Sequence, residues 1–200
     1  HHLGNTNGIR LLNGAGFSGE YAFTLATNAN VKLSGNVAAS TASINSLISN
    51  GYDITNASAT ITMASASLAG NILINSANNI AGASTTIGIT TFELNILATE
   101  NSTISAIIGT ATTGSLSLGG SGNITLSAAN LFTGATNING ATLTYGVSNA
   151  LSSGGVTVNG GTYDIGSFND TVGAVILQNG TITGSTGVLS GTSYSLREGT

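Results

Sequence analysis

The amino-acid sequence predicts an all-β fold, a parallel β-helix or solenoid with rungs of about 20 residues, on three observations. The dipeptide Asn-Gly returns at Asn139-Gly140, Asn159-Gly160 and Asn179-Gly180, spaced 159 − 139 = 20 and 179 − 159 = 20. Short stretches alternate apolar and polar residues with period two, bounded by Gly, Asn or Ser. Helix-favouring Glu, Lys, Arg and Gln are scarce, while Gly, Ser, Thr and Asn, poor inside helices, are everywhere.

Composition narrows the class. Three basic and seven acidic side chains stand against 29 glycines, with no Pro, Cys or Trp, so Ser, Thr, Asn and Gly must cover the surface. With 40% apolar residues and a positive mean hydropathy, the chain has enough to bury and is expected to fold. The scattered cations Arg10, Lys32 and Arg197 leave nothing to neutralise a phosphate backbone, so nucleic acid is not an expected partner. Absent cysteines exclude disulfides and thiolate metal sites, and suit export through an oxidising compartment. Apolar runs are far shorter than the roughly 18 residues of a spanning helix, so direct membrane insertion of this segment is not expected. The start, HHLGNTNG, has neither an initiator Met nor a signal-like pattern, so the chain is expected to be part of a longer one. His1 and His2 are either native or a tag remnant.

Strands are expected at NVKLSG (30–35), ATITMAS (59–65), NILIN (71–75), STISAIIG (102–109), GSLSLGG (114–120) and NITLSA (123–128). They continue at ATLTYG (141–146), GVTVNG (155–160) and AVILQNGTITG (174–184). A sandwich of hairpins predicts no fixed repeat, whereas a coil does. In such a coil each residue stacks on its counterpart about 4.8 Å away, so inward positions form apolar ladders and turns want Gly or Asn. Val156 and Val158 precede one Asn-Gly turn, and Tyr163 and Ile165 follow it; Ile138, then Leu143 and Tyr145, flank the previous one in the same phase. Val175, Leu177 and Ile182 fit the next rung if Gln178 is an extra residue and one Gly is missing, an adjustment that must occur at the turn. Asn139, Asn159 and Asn179 are then either an amide ladder along the axis or simply good turn residues. About ten rungs would give a rod on the order of 50 Å.

The stretch GSGNITLSAANLFTGATNINGATLTYG (120–146) resembles the autotransporter-associated β-strand repeat of secreted bacterial passengers. The matching positions are Gly122, Ile124 to Ser127, Phe132-Thr133-Gly134, Thr136 to Gly140, and Leu143. Segments 101–120 and 150–166 are similar to flanking rungs, and 44–63 and 175–200 to linking rungs, so the resemblance is firmest over 95–200. It departs at Ser127 to Leu131, where family members usually carry Gly or Asn-Thr and an aromatic. The resemblance implies a right-handed parallel β-helix over 44–200, with 1–43 a β-rich segment continuing it. It further implies export and display outside a Gram-negative-like cell, and it does not imply one ligand; no cofactor is expected. Glycans, extracellular matrix, other cells, or further copies of the rod meeting end to end or laterally are the partners such a surface would have.

The chemistry-bearing residues are few. The acids are Glu20, Asp53, Glu93, Glu100, Asp164, Asp170 and Glu198. Asp164 and Asp170, six apart across DIGSFND, are the only pair close enough to inspect. In a groove they would suit glycoside cleavage, and with Asn169 and carbonyls a Ca²⁺ ion; the plainer reading is two exposed acids on a polar face. No catalytic, cofactor or metal residue is assigned from the sequence. The G-x-G-x-x-G match at Gly14, Gly16 and Gly19 leads into the strand-like EYAFTLAT with no suitable acid, so it reads as a loop. Acceptor-like sequons at Asn56, Asn101, Asn123, Asn169 and Asn179 are expected by chance in so Asn- and Thr-rich a chain. The pairs Thr142/Thr144 and Thr181/Thr183 resemble flat ice-binding faces, although most strands lack them. The leading expectation is a non-enzymatic structural and adhesive surface rod. A self-assembling fibre or surface-layer subunit and a polysaccharide-cleaving β-helix enzyme are the alternatives.

Overall fold

The computed structural model describes residues 25, 30–55, 57–63, 70–82, 84–89, 91–110 and 113–200. His1, His2, Arg10, the Gly14–Gly19 loop, Glu20 and the sequon at Asn56 lie outside the described residues. The described residues coil as a parallel β-solenoid of about eight turns, and every paired strand runs parallel to its neighbours.

Each rung contributes up to three strand segments, which stack into three walls. The first wall stacks β1 (Asn30–Lys32), β4 (Ser46–Ile48), β7 (Gly70–Ile74), β10 (Leu94–Ala98), β13 (Leu116–Gly120) and β15 (Thr136–Asn139). The second stacks β2 (Val37–Ala38), β5 (Ile54–Thr55), β8 (Asn78–Ile80), β11 (Ser102–Ile104), β14 (Asn123–Leu126) and β16 (Thr142–Tyr145). Beyond them β17 (Val156–Asp164) and β18 (Asp170–Thr183) run through the corner, so one strand serves both walls and joins them into a 15-stranded sheet. The third wall is the four-stranded sheet of β3 (Ala42–Ile44), β6 (Ala59–Met63), β9 (Thr85–Gly88) and β12 (Ile107–Ile108). The last strand, β19 (Leu189–Leu196), pairs with β18.

Alternation places every second side chain inside. On the first wall Val31, Leu47, Ile72, Ile96, Leu118, Ile138, Val158 and Leu177 follow one another in register, each less than a twentieth exposed. On the second, Ile54, Ile80, Ile104, Leu126 and Tyr145 do the same. Each such side chain contributes roughly 1.5–3 kcal/mol by leaving water, and its neighbours above and below supply the packing partners. At β19 the inward register positions Tyr194 and Leu196 are 53% and 68% exposed, because no strand among the described residues stacks on their outer side.

The rungs are about 20 residues long, as expected, and individual turns vary around that length. First-wall register spacings are 46 − 30 = 16, 71 − 46 = 25, 94 − 70 = 24, 116 − 94 = 22, 136 − 116 = 20, 156 − 136 = 20 and 175 − 156 = 19. Strand pairing fixes the walls, so length variation falls between the strands, where loop closure is cheap in free energy. The adjustment anticipated around Gln178 is present. Val158 pairs with Leu177 and Asn159 with Asn179, which leaves Gln178 out of the ladder, and Gly161 then pairs with Gly180, which leaves Gly160 out.

Candidate functional site

Two kinds of polar arrangement stand out, one outside the walls and one in the core. Outside, the second wall carries a register column that begins Asp53, Asn79, Thr103 and Thr125 and continues Thr144, Asp164 and Thr183. Beside it run Asn123, Thr142, Thr162 and Thr181. The Thr-x-Thr pairs of the sequence therefore share one wall, with Asp164 interrupting the hydroxyl column between Thr144 and Thr183. The first wall carries Asn30, Ser46, Asn71, Asn95, Ser117, Asn137 and Thr157 in the same manner. Several of these are bonded along the axis: Ser46 Oγ donates to Asn30 Oδ1 at 3.0 Å, and Asn95 Nδ2 to Asn71 Oδ1 at 3.4 Å. Next to that column Ile48, Leu73 and Leu97 form a short apolar strip, with Leu97 49% exposed.

A polar groove of about 390 Å³ opens on the second wall and the corner before it. Its cause is local. Gly51 and Ala77, too small to fill the space, are bordered by Asn36, Asp53, Asn79 and Asn101. Three of these side chains are held by the next rung: Asn36 Oδ1 accepts the Asp53 N–H at 2.9 Å, Asp53 Oδ1 the Asn79 N–H at 2.8 Å, and Asn101 Oδ1 the Asn123 N–H at 3.1 Å.

The Asn-Gly turns sit at the corner between the first and second walls. Gly140, Gly160 and Gly180 have φ of 86°, 82° and 107°, the left-handed region that glycine enters without a Cβ penalty. Asn159 Nδ2 donates to Asn139 Oδ1 at 3.4 Å and Asn139 Nδ2 to Ser117 Oγ at 3.1 Å, while Asn179 aligns with Asn159 through the backbone register.

The acidic pair is not assembled. Tyr163 points inward with no exposed surface, so its neighbour Asp164 points out, where its Oδ1 accepts the Gly166 N–H at 2.8 Å. Asp170 points inward and is 2% exposed, which corrects the reading of it as a surface acid. Asn169, the companion ligand considered for Ca²⁺, spends its Oδ1 on the Val188 N–H at 2.8 Å. Among the described residues no group of three or more His, Cys, Asp or Glu is placed to hold a metal ion.

The sequence reading missed what Asp170 does. Its Oδ2 accepts the Leu151 N–H at 3.0 Å and the Tyr145 hydroxyl, and its Oδ1 accepts its neighbour Thr171's N–H at 2.7 Å. Tyr163 then meets the Tyr145 hydroxyl at 2.6 Å, and because the Tyr145 proton is directed at Asp170, Tyr163 is the donor of that bond. Burial pushes the Asp170 carboxyl up from its ordinary value, against the downward pull of Tyr145 and the Leu151 and Thr171 N–H groups. Burial likewise raises both phenols beyond the usual tyrosine range, so they stay protonated donors.

Asn130 continues this polar seam in the core. It lies within the stretch that departs from the resembled repeat, it is 5% exposed, and it spans three rungs: its Oδ1 accepts the Ile108 N–H at 2.7 Å and its Nδ2 donates to the Ala150 carbonyl at 2.6 Å. The third-wall sheet ends at β12, so where the ladder stops side chains of Asn130 and Asp170 satisfy the buried backbone groups. An inward polar residue after a strand run was the one available signal, and it was weak.

Fold and surface define a parallel β-solenoid with polar outer columns and a buried polar seam. Compared with family models, curated protein sequences and solved structures, the chain has no match.

Proposed function

We propose that this chain is a non-enzymatic, extracellular structural and adhesive segment, a passenger-type rod that displays a binding surface outside a Gram-negative-like cell. The observation that supports this reading most is the outer register of Asn, Ser and Thr on two adjoining walls, repeated rung after rung. Such columns hold many weak hydrogen-bonding groups at a fixed spacing, and a ligand that engages several at once gains by multivalency without any single strong contact. Neutral rows suit glycan or matrix partners, whereas the chain's seven acids and three cations offer no field to attract a polyanion. The 120–146 segment, whose residues resemble the passenger repeat, supplies one first-wall and two second-wall strand sections of this array.

The test is adhesion of beads coated with the purified chain to epithelial monolayers and to matrix proteins, with electron microscopy of the same preparation. Adhesion above that of beads coated with an unrelated protein supports the reading. Inert beads overturn the adhesive part, and long fibres repeating at the rod length would assign the chain to assembly instead.

A further inference from the structure

We propose that the groove over Gly51 and Ala77 is a binding site for a neutral, hydroxyl-rich chain, an oligosaccharide, lying along the solenoid axis. The inference deepens the adhesive reading and rests on it for its biological use, but its chemistry comes from the groove alone.

The lining selects the ligand class by what it presents. Among the described residues that line it Ala77 is the only apolar side chain, so an apolar ligand gains little burial there. Among the described residues no Lys, Arg or His lines the groove and Asp53 is the one charged side chain, so phosphate, sulfate or an acidic peptide would meet an acid and no cation there. One carboxylate is too few for a calcium site, which takes six to eight oxygens with several charged ones. Peptide capture by strand addition needs an open edge, and here β5, β8, β11 and β14 are paired within the wall. What remains is a set of amide donors from Asn36, Asn79 and Asn101, a carboxylate acceptor from Asp53, and the hydroxyls of Thr103 and Thr125, which both donate and accept. Polyol hydroxyls, each a donor and an acceptor without charge, complement that mixture.

The groove is also organised in advance. Because Asn36, Asp53 and Asn101 each use one side-chain oxygen to hold an N–H of the following rung, their rotamers are fixed before a ligand arrives. Asp53 Oδ2 and the Nδ2 groups of Asn36 and Asn101 are then the atoms left to a ligand, with little side-chain entropy to lose. The rungs repeat these groups along the axis about every 4.8 Å, a spacing suited to a chain molecule rather than a single small one.

The full chain is titrated by calorimetry with cello-, chito-, malto- and xylotetraose, and separately with a heparin tetrasaccharide and with calcium chloride. The expected result is heat and saturation with at least one neutral tetrasaccharide. Ala77→Phe, at an exposed position on the groove floor, should weaken that binding about tenfold or more. Asp53→Asn keeps the oxygen that accepts the Asn79 N–H and should weaken it several-fold with the circular dichroism unchanged. Absence of binding by all four neutral sugars, binding by the heparin fragment or calcium alone, or unaltered affinity in Ala77→Phe overturns the site. Adhering beads with no calorimetric binding of any neutral tetrasaccharide overturn the site while leaving the adhesive reading in place. Sugar binding by a chain whose beads adhere to nothing does the reverse.

Discussion

The hydroxyls of Tyr145 and Tyr163 lie 2.6 Å apart inside the rod, their rings meeting edge to face at 67° with centroids 5.6 Å apart. One rung separates them, and Asp170, on the same turn as Tyr163, receives the Tyr145 proton. Phenol, phenol and carboxylate thus tie two adjacent rungs together through the core.

Removing the middle of this relay should cost more than removing its end. Tyr145→Phe leaves the Tyr163 hydroxyl without its acceptor and Asp170 Oδ2 with the Leu151 N–H alone, so a loss of about 2–3 kcal/mol is expected. Tyr163→Phe removes a terminal donor and should cost about 1 kcal/mol. Urea unfolding followed by far-ultraviolet dichroism gives both values, and equal losses would contradict the proton order assigned to the relay.

The same cluster ties stability to pH in a definite direction. Asp170 is raised in the folded chain, so between its ordinary value and its folded value the native state holds a proton that the unfolded chain has lost. Stability from this group is therefore fully present below the unfolded pKa and declines as pH rises through the folded one. The phenols behave alike at the other end of the scale: the unfolded chain ionises them near their ordinary value of about 10, while the fold keeps them neutral. Comparison of the wild type with Asp170→Asn across the acid range should show the weakly acidic slope vanish in the variant. Tyrosinate absorbance from these two residues should appear together with unfolding, and ionisation of the folded core near pH 10 would be incompatible with the relay.

Much of the architecture was legible because a parallel coil writes its register into the sequence. Ile138, Leu143 and Tyr145 match Val158, Tyr163 and Ile165 in phase, and the extra Gln178 follows from simple counting. The two-residue strands β2, β5 and β12 were not separable, since so short a run shows too little alternation to distinguish from a turn. Variation among individual turns toward the N-terminal side was not legible, because after Asn50-Gly51 no further Asn-Gly pair occurs until Asn139-Gly140. Asp170 was misplaced for a different reason. Its burial depends on the Tyr145 hydroxyl 25 residues away, and no local pattern reports a partner at that separation.

Asn130 offers a sharper test of the seam. Asn130→Ala strands the Ile108 N–H and the Ala150 carbonyl in the core and opens a small void, so about 2–4 kcal/mol should be lost. Asn130→Asp keeps an acceptor for Ile108 but forfeits the donor to Ala150 and buries a charge, and it should be no more stable than the alanine variant. Amide hydrogen exchange at Ile108 is the local readout, with protection lost in Asn130→Ala and unchanged exchange contradicting the bond.

Two glycines at equivalent corners separate backbone conformation from backbone proximity. Gly160, at φ 82°, stands at a corner where a Cβ would meet nothing within 4 Å. Gly120, at φ 96°, has the Ala98 carbonyl oxygen 1.9 Å from the site a Cβ would take. Gly160→Ala therefore bears only the left-handed penalty of about 1–2 kcal/mol. Gly120→Ala bears that penalty and must also push apart two rungs whose strands are paired on both sides, β10 with β7 and β13 with β15. A rung cannot be displaced alone, because each is stacked on the next, so the strain should spread along the rod and the loss should exceed that at Gly160 by several kcal/mol. Urea midpoints of the two variants, measured side by side with the wild type, make the comparison, and similar losses would mean that the corner at Gly120 is wider than the rung stacking requires.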